Sequence, residues 1–144
     1  MILLVEDDPN DQMLIQHAFE KLDTPITISA VSKGDQALEA IEDSLSSSKG
    51  KDKLPDLILL DLKLPGKSGF DVLGWIRDRD ILDNVPVIIL SSSNQESDIK
   101  KAYELGANSY LVKPVNHGRL IDIVKTIKKY WFDHNVTVDS RGGK

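Results

Sequence analysis

The chain contains no cysteine, and this absence excludes several kinds of site at once. Without thiols there are no disulfide bonds, no thiolate metal sites and no cysteine nucleophile. The apolar runs are only a few residues long, which is too short to cross a membrane. An excess of positive charge is also lacking: the net charge of −5 argues against nucleic acid as a partner, which would favour a basic face.

The N-terminus lacks the basic residues that begin a signal peptide. Residues 1–5 are apolar and acidic residues follow at once, so this segment predicts a strand, and we expect a cytoplasmic protein. The 144 residues suffice for one domain with a core of sheet and helices. With 40% apolar and 28% charged residues, the composition is that of an ordered globular protein.

Strand-like and helix-like patterns alternate five times along the chain. The strand-like runs lie at residues 2–5, 26–31, 57–60, 87–90 and 109–112, with helical apolar stripes after each of them. The third and fourth runs are almost wholly apolar, which is typical of parallel strands covered on both faces. Because crossovers between parallel strands are right-handed, the helices must divide between the two faces. The pattern predicts an α/β fold of three layers, a three-layer sandwich.

Four of the strand-like runs end at a chemically reactive side chain. Glu6 and Asp7 follow the first run, Asp61 the third, Ser91 the fourth and Lys113 the fifth. In an open parallel sheet the carboxyl ends of the strands share one edge, and ligands bind in the crevice there. We therefore expect these side chains to meet above a single cleft.

The acidic residues of this predicted cleft fit a divalent cation. Neighbouring carboxylates repel each other, and a hard cation such as Mg²⁺ relieves the repulsion while binding carboxylate, water and phosphate oxygens. The alternative is that Asp8 only caps the first helix while Glu6 and Asp7 are solvated. Asp61 favours the metal site, because a helix cap does not explain the aspartate that opens the turn at residues 61–66.

Ser91 and Lys113 suit a phosphate ligand. Ser91 opens a run of three serines, and we expect Ser93 or Asn94 to cap the fourth helix, which leaves Ser91 to donate to a phosphoryl oxygen. Lys113 can act as a point charge on a phosphate, and its alternative is the ordinary one of a solvated surface lysine. Together with the acidic residues, these side chains indicate a site of phosphoryl transfer.

The order of these residues resembles that of the receiver domain of bacterial two-component response regulators, over residues 1–132. That family has an acidic pair after strand one, a phospho-acceptor aspartate after strand three, a serine or threonine after strand four and Lys-Pro after strand five. Carried over onto this sequence, the acidic pair is Glu6 and Asp7, the phospho-acceptor is Asp61 and the hydroxyl is that of Ser91. The switch aromatic of the family is Tyr110, and the lysine is Lys113.

The resemblance implies a cofactor, a fold and an activity. Mg²⁺ would be bound by Asp7, Asp61 and the backbone carbonyl of Lys63, with Glu6 reaching it through water. The fold would be flavodoxin-like, (βα)5, with a five-stranded parallel sheet in the order 2-1-3-4-5. The sequence itself predicts a frayed tail at residues 133–144. The protein would catalyse only its own phosphorylation on Asp61 and a slow dephosphorylation, so we do not expect an enzyme in the ordinary sense.

The resemblance also implies partners, first of all a sensor histidine kinase. Within the family the chain is most similar to stand-alone receivers that partner phytochromes, on the basis of the long loop at 46–55, the turn at 61–66 and the aromatic end of the last helix at 129–131. We expect a homodimer through helix four, strand five and helix five that tightens on phosphorylation. Neither nucleic acid nor a membrane is expected as a partner.

The lifetime of the phosphorylated state follows from two further positions. In the resembling family, the residues two after the acceptor and two after the hydroxyl flank the path of the attacking water, and here they are Lys63 and Ser93. Lysine only donates hydrogen bonds, while serine is short and can be taken up as a helix cap. We therefore expect slow hydrolysis, nearer hours than seconds.

Other phosphate-handling families fit the sequence less well. A haloacid-dehalogenase-type phosphatase needs a second aspartate two residues after the first, where Lys63 stands. A P-loop at residues 66–68 needs a glycine at the position of Asp61. A flavodoxin would not place acidic residues beside its flavin phosphate. A pseudo-receiver, a binding module that is never phosphorylated, is the alternative function, although no acid or lysine of the family pattern is missing.

Overall fold

The computed structural model describes residues 1–46 and 54–136, which form a parallel sheet of five strands flanked by helices. The strands are β1 (Ile2–Val5), β2 (Ile28–Val31), β3 (Leu57–Leu60), β4 (Val87–Ser91) and β5 (Ser109–Val112). The helices are α1 (Pro9–Glu20), α2 (Gly34–Ser46), α3 (Gly69–Arg77), α4 (Glu96–Glu104) and α5 (His117–Ile127). A 3₁₀ turn at Asp80–Leu82 follows α3, and a π-helical stretch at Lys128–His134 continues α5.

The strand order is β2-β1-β3-β4-β5, which confirms the predicted flavodoxin-like topology. In the centre of the sheet, Val5 of β1 pairs with Val31 on one side and with Leu60 on the other. Leu60 in turn pairs with Ile89, and Ile89 pairs with Tyr110. Because these pairs are parallel and in register, the residues that follow β1, β3, β4 and β5 emerge at one edge of the sheet.

Apolar side chains cover both faces of the sheet, which explains the unbroken apolar runs of the central strands. Successive strand residues point to opposite faces. On one face Leu3, Val5, Ile58 and Leu60 pack against α2, α3 and α4, and on the other Ile2, Leu4, Leu57 and Leu59 pack against α1 and α5. The three-layer prediction is therefore confirmed.

The helix starts follow the predicted caps only in part. Asp8 caps α1, because its carboxylate accepts hydrogen bonds from two backbone N–H groups of the first turn. The predicted cap of α4 is wrong: α4 begins after Gln95, whose side chain makes no capping hydrogen bond, so neither Ser93 nor Asn94 is the cap residue. Ser93 instead accepts from the backbone N–H of Gln95, before the helix begins.

Two predicted segments reach beyond the described residues. Most of the predicted loop at 46–55, residues 47–53, lies outside them, as do residues 137–144 of the predicted tail. The described chain stays helical as far as His134, and the division between a domain at 1–132 and a tail at 133–144 stays a prediction. Of the helices in residues 1–46 and 54–136, none has the length and apolar character needed to span a membrane.

Candidate phosphoryl-transfer site

Three of the predicted site residues converge on one another at the carboxyl edge of the sheet. Lys113 directly follows β5, and its ammonium nitrogen lies 2.6 Å from Glu6 Oε1 and 3.1 Å from Asp61 Oδ2. Both acidic residues are buried, with 1% of Glu6 and 6% of Asp61 exposed. Lys113 is thus an ion-paired lysine between two strand-end carboxylates, and the solvated surface lysine is ruled out.

Asp7 joins Glu6 and Asp61 in a cluster of three acidic residues that could hold a cation. One carboxylate oxygen from each lies within 4.8 Å of the other two. Asp7 is exposed, so the cluster opens to solvent on its side. The backbone N–H of Lys63 donates to Asp61 Oδ1 at 3.3 Å, which holds this stretch of backbone beside the cluster. Hard oxygen donors such as these suit a divalent cation.

Burial controls the ionisation of Glu6. Burial raises the pKa of the Glu6 carboxyl from 4.5 to about 7, since it outweighs the hydrogen bonds from Lys113 and from the backbone of Asp8, and the charge of Asp61 raises it further. Burial lowers the pKa of Lys113, but the hydrogen bond to Glu6 and the charge of Asp61 outweigh this, so the pKa lies above the ordinary lysine value. One lysine faces several acidic groups, an imbalance that a divalent cation would offset.

A series of hydrogen bonds links Ser91 to Tyr110 through Ser93. Ser91 is fully buried at the end of β4, and its hydroxyl accepts from the backbone N–H of Ser93 at 3.2 Å. The Tyr110 hydroxyl donates to the Ser93 carbonyl at 2.9 Å. The Ser93 hydroxyl itself donates to Asp98 Oδ2 at 2.6 Å and accepts from the Gln95 N–H at 3.3 Å. Ser91 and Tyr110 are therefore connected through a single residue, Ser93.

Asp11 is a residue of the site that the sequence did not indicate. It lies in the first turn of α1, and its Oδ2 is 3.1 Å from the Lys113 nitrogen. An acidic residue at this point of a helix is ordinarily explained by the helix dipole, so its type carried no special signal. What brings it to the site is the start of α1 at the same edge of the sheet where β5 ends.

The backbone passes close to Asp61 at Gly69, the first residue of α3. The Gly69 N–H donates to the carbonyl of Leu62 at 2.9 Å. A Cβ atom at Gly69 would overlap with the carbonyl oxygen of Asp61. Ser68 and Asp71 cap this helix reciprocally, each side chain accepting from the backbone N–H of the other. The turn that follows β3 is therefore held tightly beneath the site.

A cleft of about 280 Å³ opens beside Lys113 between α1 and the start of α5. Its lining includes Asp11, Ser92 and Val115, and Val115 is fully exposed. A larger cleft of about 680 Å³ lies between the last turn of α1 and the π-helical stretch, and none of the predicted site residues lines it. Of these two clefts, the smaller is the one that includes a predicted site residue, Lys113.

Comparison with known proteins identifies the family. Residues 2–125 match the response regulator receiver domain. The chain belongs to the response regulator receiver family. This receiver is 38% identical over 135 residues to the probable methanogenesis regulatory protein FilR2 of Methanothrix harundinacea, covering 94% of this chain and 85% of that one.

Two further relatives are named as response regulators, one of them as a phytochrome response regulator. Response regulator Rcp1 of Synechocystis sp. is 33% identical over 133 residues, covering 92% of this receiver and 89% of Rcp1. The crystal structure of the phosphorylated cyanobacterial phytochrome response regulator RcpA has a TM-score of 0.85 at 37% identity, covering 94% and 96% of the two chains. The predicted similarity to phytochrome-associated receivers is confirmed, and the chain is the receiver domain of a two-component response regulator with an acidic pocket.

Proposed function

We propose that this receiver accepts a phosphoryl group on Asp61 from a sensor histidine kinase and thereby switches a binding surface. The observation that carries the proposal is the setting of Asp61, a buried carboxylate at the end of β3 with the Lys113 ammonium 3.1 Å from Oδ2. The chain would catalyse this transfer and the later hydrolysis on itself only. The kinase is proposed to be of the phytochrome class because RcpA is a phytochrome response regulator.

The residues of the cleft supply what phosphoryl transfer requires. A carboxylate oxygen of Asp61 attacks the phosphorus of the kinase phosphohistidine; the new O–P bond forms, the P–N bond breaks, and the imidazole leaves with the electron pair and takes up a proton. Lys113 offers a positive charge to the phosphoryl oxygens, and Ser91 offers a hydroxyl donor. The backbone of Lys63 and the carboxylates of the cluster would hold Mg²⁺, which when bound offsets the charge of the phosphoryl oxygens.

The proposed switch uses the hydrogen bonds around Ser93. A phosphoryl group adds about two negative charges and three acceptor oxygens. If Ser91 turns its hydroxyl to this group, its bond from the Ser93 N–H is lost, and Tyr110 gains room to turn inward. This biases the surface of α4, β5 and α5, beside which Tyr103 and Tyr130 are exposed.

The proposed output of this surface is a homodimer that tightens on phosphorylation. Sedimentation velocity of the phosphorylated and unphosphorylated protein should show the phosphorylated form shifted toward the dimer, because exposed tyrosines offer apolar area for self-association. A phosphorylated protein that stays monomeric at high concentration contradicts the dimer without affecting the assignment of Asp61.

Phosphate uptake tests the central assignment. Purified protein incubated with Mg²⁺ and acetyl phosphate should gain one phosphoryl group by intact-mass spectrometry, and EDTA should prevent this. Asp61→Asn should abolish uptake, whereas Asp43→Asn, which removes an exposed carboxylate on α2, should leave it unchanged. Uptake that survives Asp61→Asn contradicts the assignment, and a wild type that takes up no phosphate favours the pseudo-receiver.

A further inference from the structure

The Lys113 ammonium contacts three carboxylates, and the proposed function uses only two of them. Glu6 lies at 2.6 Å and Asp61 and Asp11 each lie at 3.1 Å. A lysine ammonium has three N–H donors, so its donors can be shared among these three partners. Glu6 and Asp61 belong to the acidic cluster, whereas Asp11 lies outside it on α1.

We propose that Asp11 is a positioning residue, which holds the Lys113 ammonium over Asp61 during phosphoryl transfer. The inference rests on the proposed function of Asp61. Asp11 is well placed for this role because local contacts fix the start of its helix: Asp8 accepts a hydrogen bond from the Asp11 N–H, and Pro9 is the first residue of α1. The Asp11 side chain is also only 34% exposed, so solvent competes for its carboxylate less than at an open surface.

The other two partners of Lys113 cannot hold it throughout the reaction. Asp61 is the nucleophile, and its carboxylate becomes an acyl phosphate. Glu6 belongs to the cluster whose charge a bound cation would share. A lysine side chain is a flexible four-carbon stem that ends in a point charge, so it needs a fixed partner to stay in place. Asp11 is the partner of Lys113 that takes part in neither change.

A charge effect of Asp11 would have the opposite sign from positioning. If Asp11 were only one more negative charge near the incoming phosphoryl group, its removal would speed the transfer. If it holds Lys113 in place, its removal slows the transfer, because the reacting groups are then less well aligned. Neutral asparagine retains an acceptor oxygen for Lys113, while alanine retains none. Asp11→Asn and Asp11→Ala therefore separate the two roles.

The experiment measures phosphate uptake at several acetyl phosphate concentrations with saturating Mg²⁺. Asp11→Ala should lower the limiting rate constant by about tenfold and leave the acetyl phosphate concentration for half-maximal rate unchanged. Asp11→Asn should restore most of the rate. Asp43→Ala on α2 is the control for loss of an exposed carboxylate and should behave as wild type. A merely structural role of Asp11 would not produce this split with rescue by asparagine.

Each other outcome overturns the inference. If Asp11→Ala and Asp11→Asn both equal or exceed the wild-type rate, Asp11 acts at most through its charge. If Asp11→Ala does not fold, Asp11→Glu takes its place: a longer side chain displaces the carboxylate, so a rate equal to wild type contradicts positioning. If the wild type takes up phosphate and the Asp11 variants match its rate, only this inference is refuted. If the wild type takes up no phosphate, the proposed function is refuted as well.

Discussion

Burial of Glu6 predicts that the contribution of this residue to the stability of the metal-free receiver falls as the pH rises from about 4.5 to about 7. Glu6 is 1% exposed, and burial raises the pKa of its carboxyl from 4.5 to about 7. Between these values the unfolded chain releases a proton that the folded chain retains, so the free energy of unfolding falls as the pH rises. At about 1.4 kcal/mol per pH unit, the stability that is present below pH 4.5 and lost by about pH 7 is on the order of 3 kcal/mol.

The variant Glu6→Gln isolates this effect, because the amide keeps the size of the side chain and does not ionise. Urea unfolding of both proteins in EDTA, between about pH 5 and about pH 8, gives their difference in stability as a function of pH. The glutamine variant should gain on the wild type by about 3 kcal/mol across this range. Glu20→Gln at the exposed end of α1 is the control for loss of one carboxylate. A difference between Glu6→Gln and wild type that is the same at both ends of the range would refute the reasoning.

Two further predictions concern the turn beneath the site and the lifetime of the phosphate. Gly69→Ala should destabilise the protein by about 1–3 kcal/mol, because its Cβ would overlap with the Asp61 carbonyl. Gly74→Ala in the same helix is the control, because its Cβ would meet nothing within 4 Å. Equal melting temperatures of the two variants would contradict this prediction. Lys63→Asn combined with Ser93→Glu should shorten the life of the phosphorylated protein, followed by mass spectrometry, since both residues could then orient a water. Loss of phosphate from the unmodified protein within seconds would show that hydrolysis is controlled in another way.

Local patterns in the sequence were enough to place the strands of the sheet. The apolar runs at 57–60 and 87–90 became the buried strands β3 and β4, because a strand covered on both faces has no polar positions to interrupt it. Asp8 followed by Pro9 correctly marked the start of α1, since both residues act within the first turn of a single helix. The order of the strands came only from the family resemblance, because spacing along the chain does not say which strands pair.

The α4 cap shows where local reasoning fails. Serine is a good cap residue, and Ser93 stands just before α4. Its hydroxyl is engaged with Asp98 and with the Gln95 N–H, while its carbonyl is bound by Tyr110 from β5. The bond from Tyr110 crosses 17 positions of the chain, so no local pattern could have indicated it.

The sequence by itself determined which chemistry is present: acidic residues, a hydroxyl and a lysine, each at the end of an apolar strand, and hence one reactive edge of a parallel sheet. Only the tertiary structure decided how these groups meet. It brought Asp11 to Lys113 across 102 positions of the chain, and it buried Glu6 deeply enough to raise its pKa to about 7. Residue types and periodicity act over a few residues, whereas contacts between helix starts and strand ends, and the loss of water around a carboxylate, depend on how distant segments pack.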